Sequence, residues 1–175
     1  MDPDTLKNVL IIVLRLIHIF AGIVWGGTTI LFVFMLGPAI NATGDAGKAF
    51  AAYLITKARF TTAISAAAGT AVLAGLILYW IRSEGFTSSW MTSSPGIGFA
   101  IGGVAGIVAF VLGLLVGRNN TELVRIGSQI QGPSTPEQLA AIQAIQGSQK
   151  ILGHSLTTAM IIAIVFMATS RFFLF

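Results

Sequence analysis

Polar and apolar positions fall into blocks along this chain. Four stretches are almost continuously apolar, residues 9–36, 60–81, 97–116 and 151–175. Each reaches the roughly 20 residues that a helix needs to cross a bilayer. The pattern predicts an all-α protein, a single integral membrane domain over residues 1–175 folded as a transmembrane four-helix bundle that runs up-down-up-down. The first stretch is longer than the apolar run of a secretory signal, roughly 7 to 15 residues, and is read as a retained span.

The stretches between the blocks supply the turns. Span one is expected to end at Gly37 and Pro38, with "NATGDAGK" as a turn, Asp45 as the cap of the next helix, and residues 46–59 as a partly interfacial helix running into span two. The connection "RSEGFTSSWMTSSPG" places Trp80 and Trp90 at headgroup level, where an amphipathic indole is favoured. Residues 118–150 form the only sizeable polar region. There Thr135 caps, Pro136 takes the first helical position and Glu137 meets the positive end of the dipole. With span three extended through "NNTELVRIGSQI", the region is expected to form a cytoplasmic helical hairpin projecting roughly 20 Å. Such a hairpin suits the docking of a partner, and one that is simply solvated fits equally well.

Composition supports a membrane setting. The chain is 55% hydrophobic and 9% charged, against roughly 25% charged in a soluble domain, and its mean hydropathy is +0.87. The absence of cysteine removes disulfides, thiolate metal sites and thiol nucleophiles. The net charge of +4 comes from basic residues scattered singly at the ends of the spans, so nucleic acid is not an expected partner. Lys48, Lys57, Arg59, Arg118, Arg125 and Lys150 fall on one side, Lys7, Arg82 and Arg171 on the other. The positive-inside rule then puts both termini on the non-cytoplasmic side.

Helices in lipid associate where small residues let backbones approach. Span three offers Gly98, Gly102, Gly106, Gly113 and Gly117, and span one offers Gly22 and Gly26. Span two has a small-residue face from Ala63 to Gly75, where Ser65 and Thr70 are placed to bond across to neighbours at about 0.6 kcal/mol each. The lipid bilayer and other membrane subunits are the partners these surfaces predict.

Chemistry is concentrated in "RLIHIFAGIVWGG", residues 15–27. Arg15 is expected to snorkel to the headgroups on its long stem. Arg15, His18, Gly22, Trp25 and Thr29 share one helix face, opposite Ile19, Ile23, Ile30 and Phe34. A neutral His18 on the inner face either ligates haem iron or hydrogen-bonds a carbonyl or hydroxyl. His18 lies roughly 5 Å inside Arg15, and His154 roughly 25 Å inside Arg171, so the two histidines are not expected to share a haem. Met167 is at nearly the depth of His18, and the pair would make a His/Met axial set with Arg15 facing a propionate. His154 reads as a satisfied interfacial residue.

"RLIHIFAGIVWGG" resembles the first helix of the bacterial CopD-like (copper-resistance protein D) membrane proteins, and "FMATSRFF" is similar to the Met-Ala-x-x-Arg-aromatic close of small relatives. The HemJ-type protoporphyrinogen oxidases and the membrane part of some urate oxidases also begin with a histidine and a downstream tryptophan. This resemblance implies a bacterial inner membrane and a role for His18 in metal or haem binding. Copper handling would need paired Met or His ligands that the chain does not place together, and span three has no lysine to match the HemJ-type pattern.

No Ser/His/Asp set, carboxylate pair or phosphate-binding loop is present, so no catalytic residue and no enzymatic activity are expected. The reading is a non-catalytic subunit packing within a larger energy-transducing or photosynthetic electron-transport complex. Its alternatives are a b-type haem or chlorin protein ligated by His18, and CopD-like copper handling. A bundle with no cofactor fits the residues as well as one with haem b or a chlorin.

Overall fold

The computed structural model describes residues 2–173. Leu174 and Phe175, the end of the fourth predicted span, lie outside them. The described residues are helical almost throughout, and four helices are long and apolar enough to cross a membrane.

Helix α1 (Pro3–Leu31) starts on Asp2, whose carboxylate accepts from the Thr5 amide at 3.3 Å, with Pro3 in the first turn. The expected stop at Gly37–Pro38 does not occur. A π-helical turn, Phe32–Leu36, carries the chain directly into α2 (Gly37–Ala42), and the Gly37 amide donates to the Phe32 carbonyl five residues back. Proline lacks an amide and its ring collides with the carbonyl four residues earlier, so a wider turn just before Pro38 accommodates both defects. Gly37 belongs to the device, since a Cβ there would stand 3.1 Å from the Phe32 carbonyl oxygen.

Helix α3 (Gly44–Thr56) takes Thr43 as its cap residue, with Asp45 inside the first turn rather than at the cap. It does not run into the second span. Arg59 adopts a left-handed backbone, φ 50°, and breaks the chain before α4 (Phe60–Arg82). Past α4, Glu84, Gly85 and Phe86 also have positive φ, and a short 3₁₀ turn, Ser89–Thr92, leads to α5 (Ser94–Gln129). Aromatic contacts tie this connection together: Trp80 on Phe86, Tyr79 on Trp90 and Trp90 on Phe99, with Arg82 over Trp90.

Helix α6 (Pro136–Thr169) begins on the Thr135 cap the sequence predicts, closed by a reciprocal bond from Gln138, and ends in a 3₁₀ turn, Ser170–Phe172. With 36 and 34 residues, α5 and α6 are about 54 and 51 Å long. That is well beyond the ~30 Å hydrocarbon core.

The four long helices close a ring of contacts. His18 meets Ala71 and Gly75, and Phe32 meets Phe60, between α1 and α4. Tyr79 meets Gly96 and Thr61 meets Gly117 between α4 and α5. Gly102 meets Phe166 and Met167, and Asn119 meets Ser148, between α5 and α6. Gly26 meets Met160 and Ile164, and Gly153 meets Val33, between α6 and α1. In every pairing the numbers climb on one helix as they fall on its neighbour. Trp25, Ala68, Ala71, Ala109, Leu156, Ala159 and Met160 fill the centre, with Trp25 edge-on to Phe110. Alanine dominates because backbones in lipid gain by approaching closely.

Candidate functional site

A polar joint links α1 and α4. Half-buried His18 places Nδ1 2.7 Å from the carbonyl oxygen of Ala71. A carbonyl can only accept, so Nδ1 donates in this bond, and in a neutral ring the lone pair is then on Nε2. The ring lies in a notch made by Gly75, where a Cβ would come within 2.8 Å of Cε1 and 3.1 Å of Nδ1. Helical geometry explains the pairing: Ala71 and Gly75 are four residues apart and share a face, so the carbonyl and the notch are presented together.

The face predicted to look inward does so in part. Trp25 and Thr29 are buried and His18 is half-buried, while Ile19, Ile23 and Phe34 opposite them are exposed. Arg15 is exposed, in keeping with a side chain free to reach headgroups. Met167 packs against Gly102 of α5, whereas the contacts of the His18 ring lie on α4. The structure thus gives the two members of the predicted axial set different neighbours. His154 is exposed, with Nδ1 2.6 Å from the Lys150 carbonyl of its own helix.

The predicted packing glycines divide. A Cβ at Gly26 would touch Met160 and Ile164 at 3.4 Å; at Gly98 it would meet the Ser170 hydroxyl at 2.6 Å and Phe173 at 2.9 Å; at Gly102, Phe166 at 3.2 Å; at Gly117, Thr61 at 3.0 Å. Gly22, Gly106 and Gly113 make no such contact within this chain, since a Cβ at each would meet nothing within 4 Å. Four residues overshoot one turn by about 40°, so a strict four-residue repeat winds off the contact seam. The seam passes from Gly102 to Ala109, two turns on and fully buried, and leaves Gly106 aside. Gly113 instead borders a cavity of about 30 Å³ lined by Trp25, Ile64, Ser65, Ala68, Phe110 and Leu114. Ser65 faces that cavity and Thr70 is exposed; the polar link from α4 to α1 runs through the Ala71 carbonyl instead.

Two features escape the sequence reading. One is Gly75 as the seat of the imidazole. The other is a pair of links where α5 and α6 leave the apolar zone: Asn119 to Ser148 at 3.4 Å, and Gln149 Nε2 donating to Asn120 Oδ1 at 2.6 Å. The signal for the second was available, since Asn119 and Asn120 directly follow Arg118, and Ser148 and Gln149 directly precede Lys150.

Among the described residues no three His, Cys, Asp or Glu side chains gather as a metal site. Comparison of the chain with protein-family models, with curated proteins and with solved structures finds no match.

Proposed function

We propose that this chain is a four-span, up-down-up-down subunit of a bacterial inner membrane that performs no reaction itself. In this reading it packs within a larger energy-transducing or photosynthetic electron-transport assembly. Both termini lie on the non-cytoplasmic side, and the hairpin of residues 118–150 projects into the cytoplasm. The observation that carries the reading is how the interior spends its polarity. The histidine within span one joins two of the chain's own helices, while large apolar side chains such as Phe20, Ile23, Leu73 and Val104 remain outward on the helices. Apolar faces of this extent are at home against lipid or the spans of other subunits. Extraction of native membranes in mild detergent tests it: the chain should co-migrate with other integral proteins on a native gel, and a lone monomer at every detergent concentration overturns it.

A second reading is favoured by the tautomer of His18. Ligating histidines commonly donate one ring N–H to a carbonyl and present the other nitrogen to the metal. The Nδ1–Ala71 bond leaves His18 Nε2 as a donor atom for haem iron or a chlorin magnesium, and Arg15 on the same helix face offers a cation for a carboxylate of the macrocycle. A Soret band in the purified protein that disappears in His18→Ala supports this reading; a colourless protein from membranes of the native host rules it out.

A further inference from the structure

One end of the bundle carries a group of cations that the protein does not neutralise. Neighbouring positions fix their common level: Phe60 stacks near Phe32, Thr61 faces Gly117, Val33 faces Gly153 and Ser148 bonds Asn119. Arg59 and Arg118 are immediate neighbours of those contact residues, Lys150 lies between Ser148 and Gly153, and Lys57 is two residues before Arg59. All four are exposed. The carboxylates nearest to them in sequence are engaged elsewhere, Asp45 with Lys48 at 2.9 Å, Glu122 with Arg125 Nε at 2.8 Å, and Glu137 with the N-terminal turn of α6. Among the described residues, Lys57, Arg59, Arg118 and Lys150 have no acidic partner.

The flanking surface distinguishes a lipid from a dissolved anion. On α3, Phe50, Tyr53 and Lys57 follow spacings of three and four and so form one stripe, with Phe50 and Tyr53 46% and 61% exposed. Two exposed aromatic side chains beside a cation match the bilayer interface, where rings enter the acyl boundary and the ammonium stays with the phosphates. The α3 helix, 13 residues long, is too short to span and is suited to lie along that interface. Beside Arg118, an open cleft is lined by Asn119, Thr121 and Glu122, where the Asn119 amide keeps one N–H beyond its bond to Ser148.

We propose that Lys57, Arg59, Arg118 and Lys150 form a binding surface for the phosphodiester headgroups of anionic phospholipid, with Phe50 and Tyr53 of α3 seated in the same leaflet. The inference rests on the membrane reading and goes beyond it by selecting a lipid class. Each cation close to an anionic surface strengthens attachment by about fivefold.

The test uses the full chain in nanodiscs of phosphatidylcholine alone and of an equimolar mixture with phosphatidylglycerol, reading lipid retained on detergent extraction by native mass spectrometry, and Tm. Phosphatidylglycerol should be retained preferentially and should raise Tm, and K57Q/R59Q/R118Q/K150Q should abolish both effects. The opposite-end control K7Q/R82Q/R171Q should keep them. Retention unchanged in the quadruple variant, or equally lost in the control, overturns the proposal. So does an equal rise in Tm from glycerol phosphate added to the protein in neutral micelles, which would mark an aqueous anion site. If the quadruple variant fails to fold by circular dichroism, R118Q and K150Q are read singly, and phosphatidylglycerol retention that neither lowers overturns the proposal. A chain that never enters the discs counts against the membrane reading, whereas one that enters and ignores headgroup charge counts against this inference.

Discussion

His18 Nδ1 and the carbonyl oxygen of Ala71 stand 2.7 Å apart across the seam between α1 and α4, and the imidazole rests where Gly75 has no side chain. Donor, acceptor and notch act as one unit, because a larger residue at position 75 would push the donor off its acceptor. His18→Leu should lower stability by about 1 kcal/mol, in the range of inter-helix bonds in lipid. Gly75→Ala should cost about as much by displacing the ring. In the double variant the two losses should fall short of adding, since either change alone breaks the same bond. Reversible unfolding in mixed micelles measures the cycle; full additivity would mean that the bond contributes nothing.

The glycines of α5 should separate by what faces them. Gly98→Ala drives a methyl into Ser170 and Phe173, and should destabilise by about 1–3 kcal/mol as an overpacked contact. Gly106→Ala meets open space, and should be neutral or stabilising by up to about 1 kcal/mol through helix propensity. Thermal unfolding of the two variants side by side decides this, and equal losses would place Gly106 on a seam.

At the start of α3, Lys48 holds the Asp45 carboxyl below its usual range through a hydrogen bond and its charge. A carboxylate with a depressed folded value stabilises above its unfolded pKa, near 3.9, and loses that contribution as pH falls through the folded value. Limited proteolysis of the 43–59 segment at acid pH should therefore accelerate as pH drops below about 4. Asp45→Asn should remove this dependence, and an unchanged profile in the variant would assign it to another group.

The cap of α6 should matter locally rather than globally. Thr135→Ala removes the hydroxyl that accepts from the Gln138 amide and should fray the first turn at a cost of about 1 kcal/mol. Hydrogen exchange should quicken at residues 136–139 while amides near Met160 stay protected. Uniform acceleration along α6 would contradict a purely terminal role.

Much of the architecture was legible in the chain. The apolar blocks mark the four long helices, the Thr-Pro-Glu-Gln start marks α6, and the spacing of His18, Trp25 and Thr29 marks the inward face of α1. Other features depend on pairings between segments. Pro38 is a reliable helix stop only when the backbone has no wider turn to offer, and the left-handed Arg59 is set by how α3 and α4 meet. Four-residue glycine spacing identifies a surface able to pack but not its partner, which is why Gly98 and Gly102 touch α6 and Gly106 does not. Gly75, seven residues or about 10 Å inside Arg82, falls within about 5 Å of the level of His18 inside Arg15, so counting the rise from the two arginines brings the imidazole and its seat to neighbouring levels.

The wide turn at Phe32–Leu36 has a consequence for register. By absorbing one residue more than an α-helical ladder uses, it offsets every later side chain in the rod by about 100° relative to an unbroken helix. Deleting one residue from that turn would swing α2, and the amphipathic α3 after it, by roughly a quarter of a revolution. Phe50, Tyr53 and Lys57 would then point along a different bearing, so the one extra residue acts as the compass setting for the exposed aromatic stripe of α3.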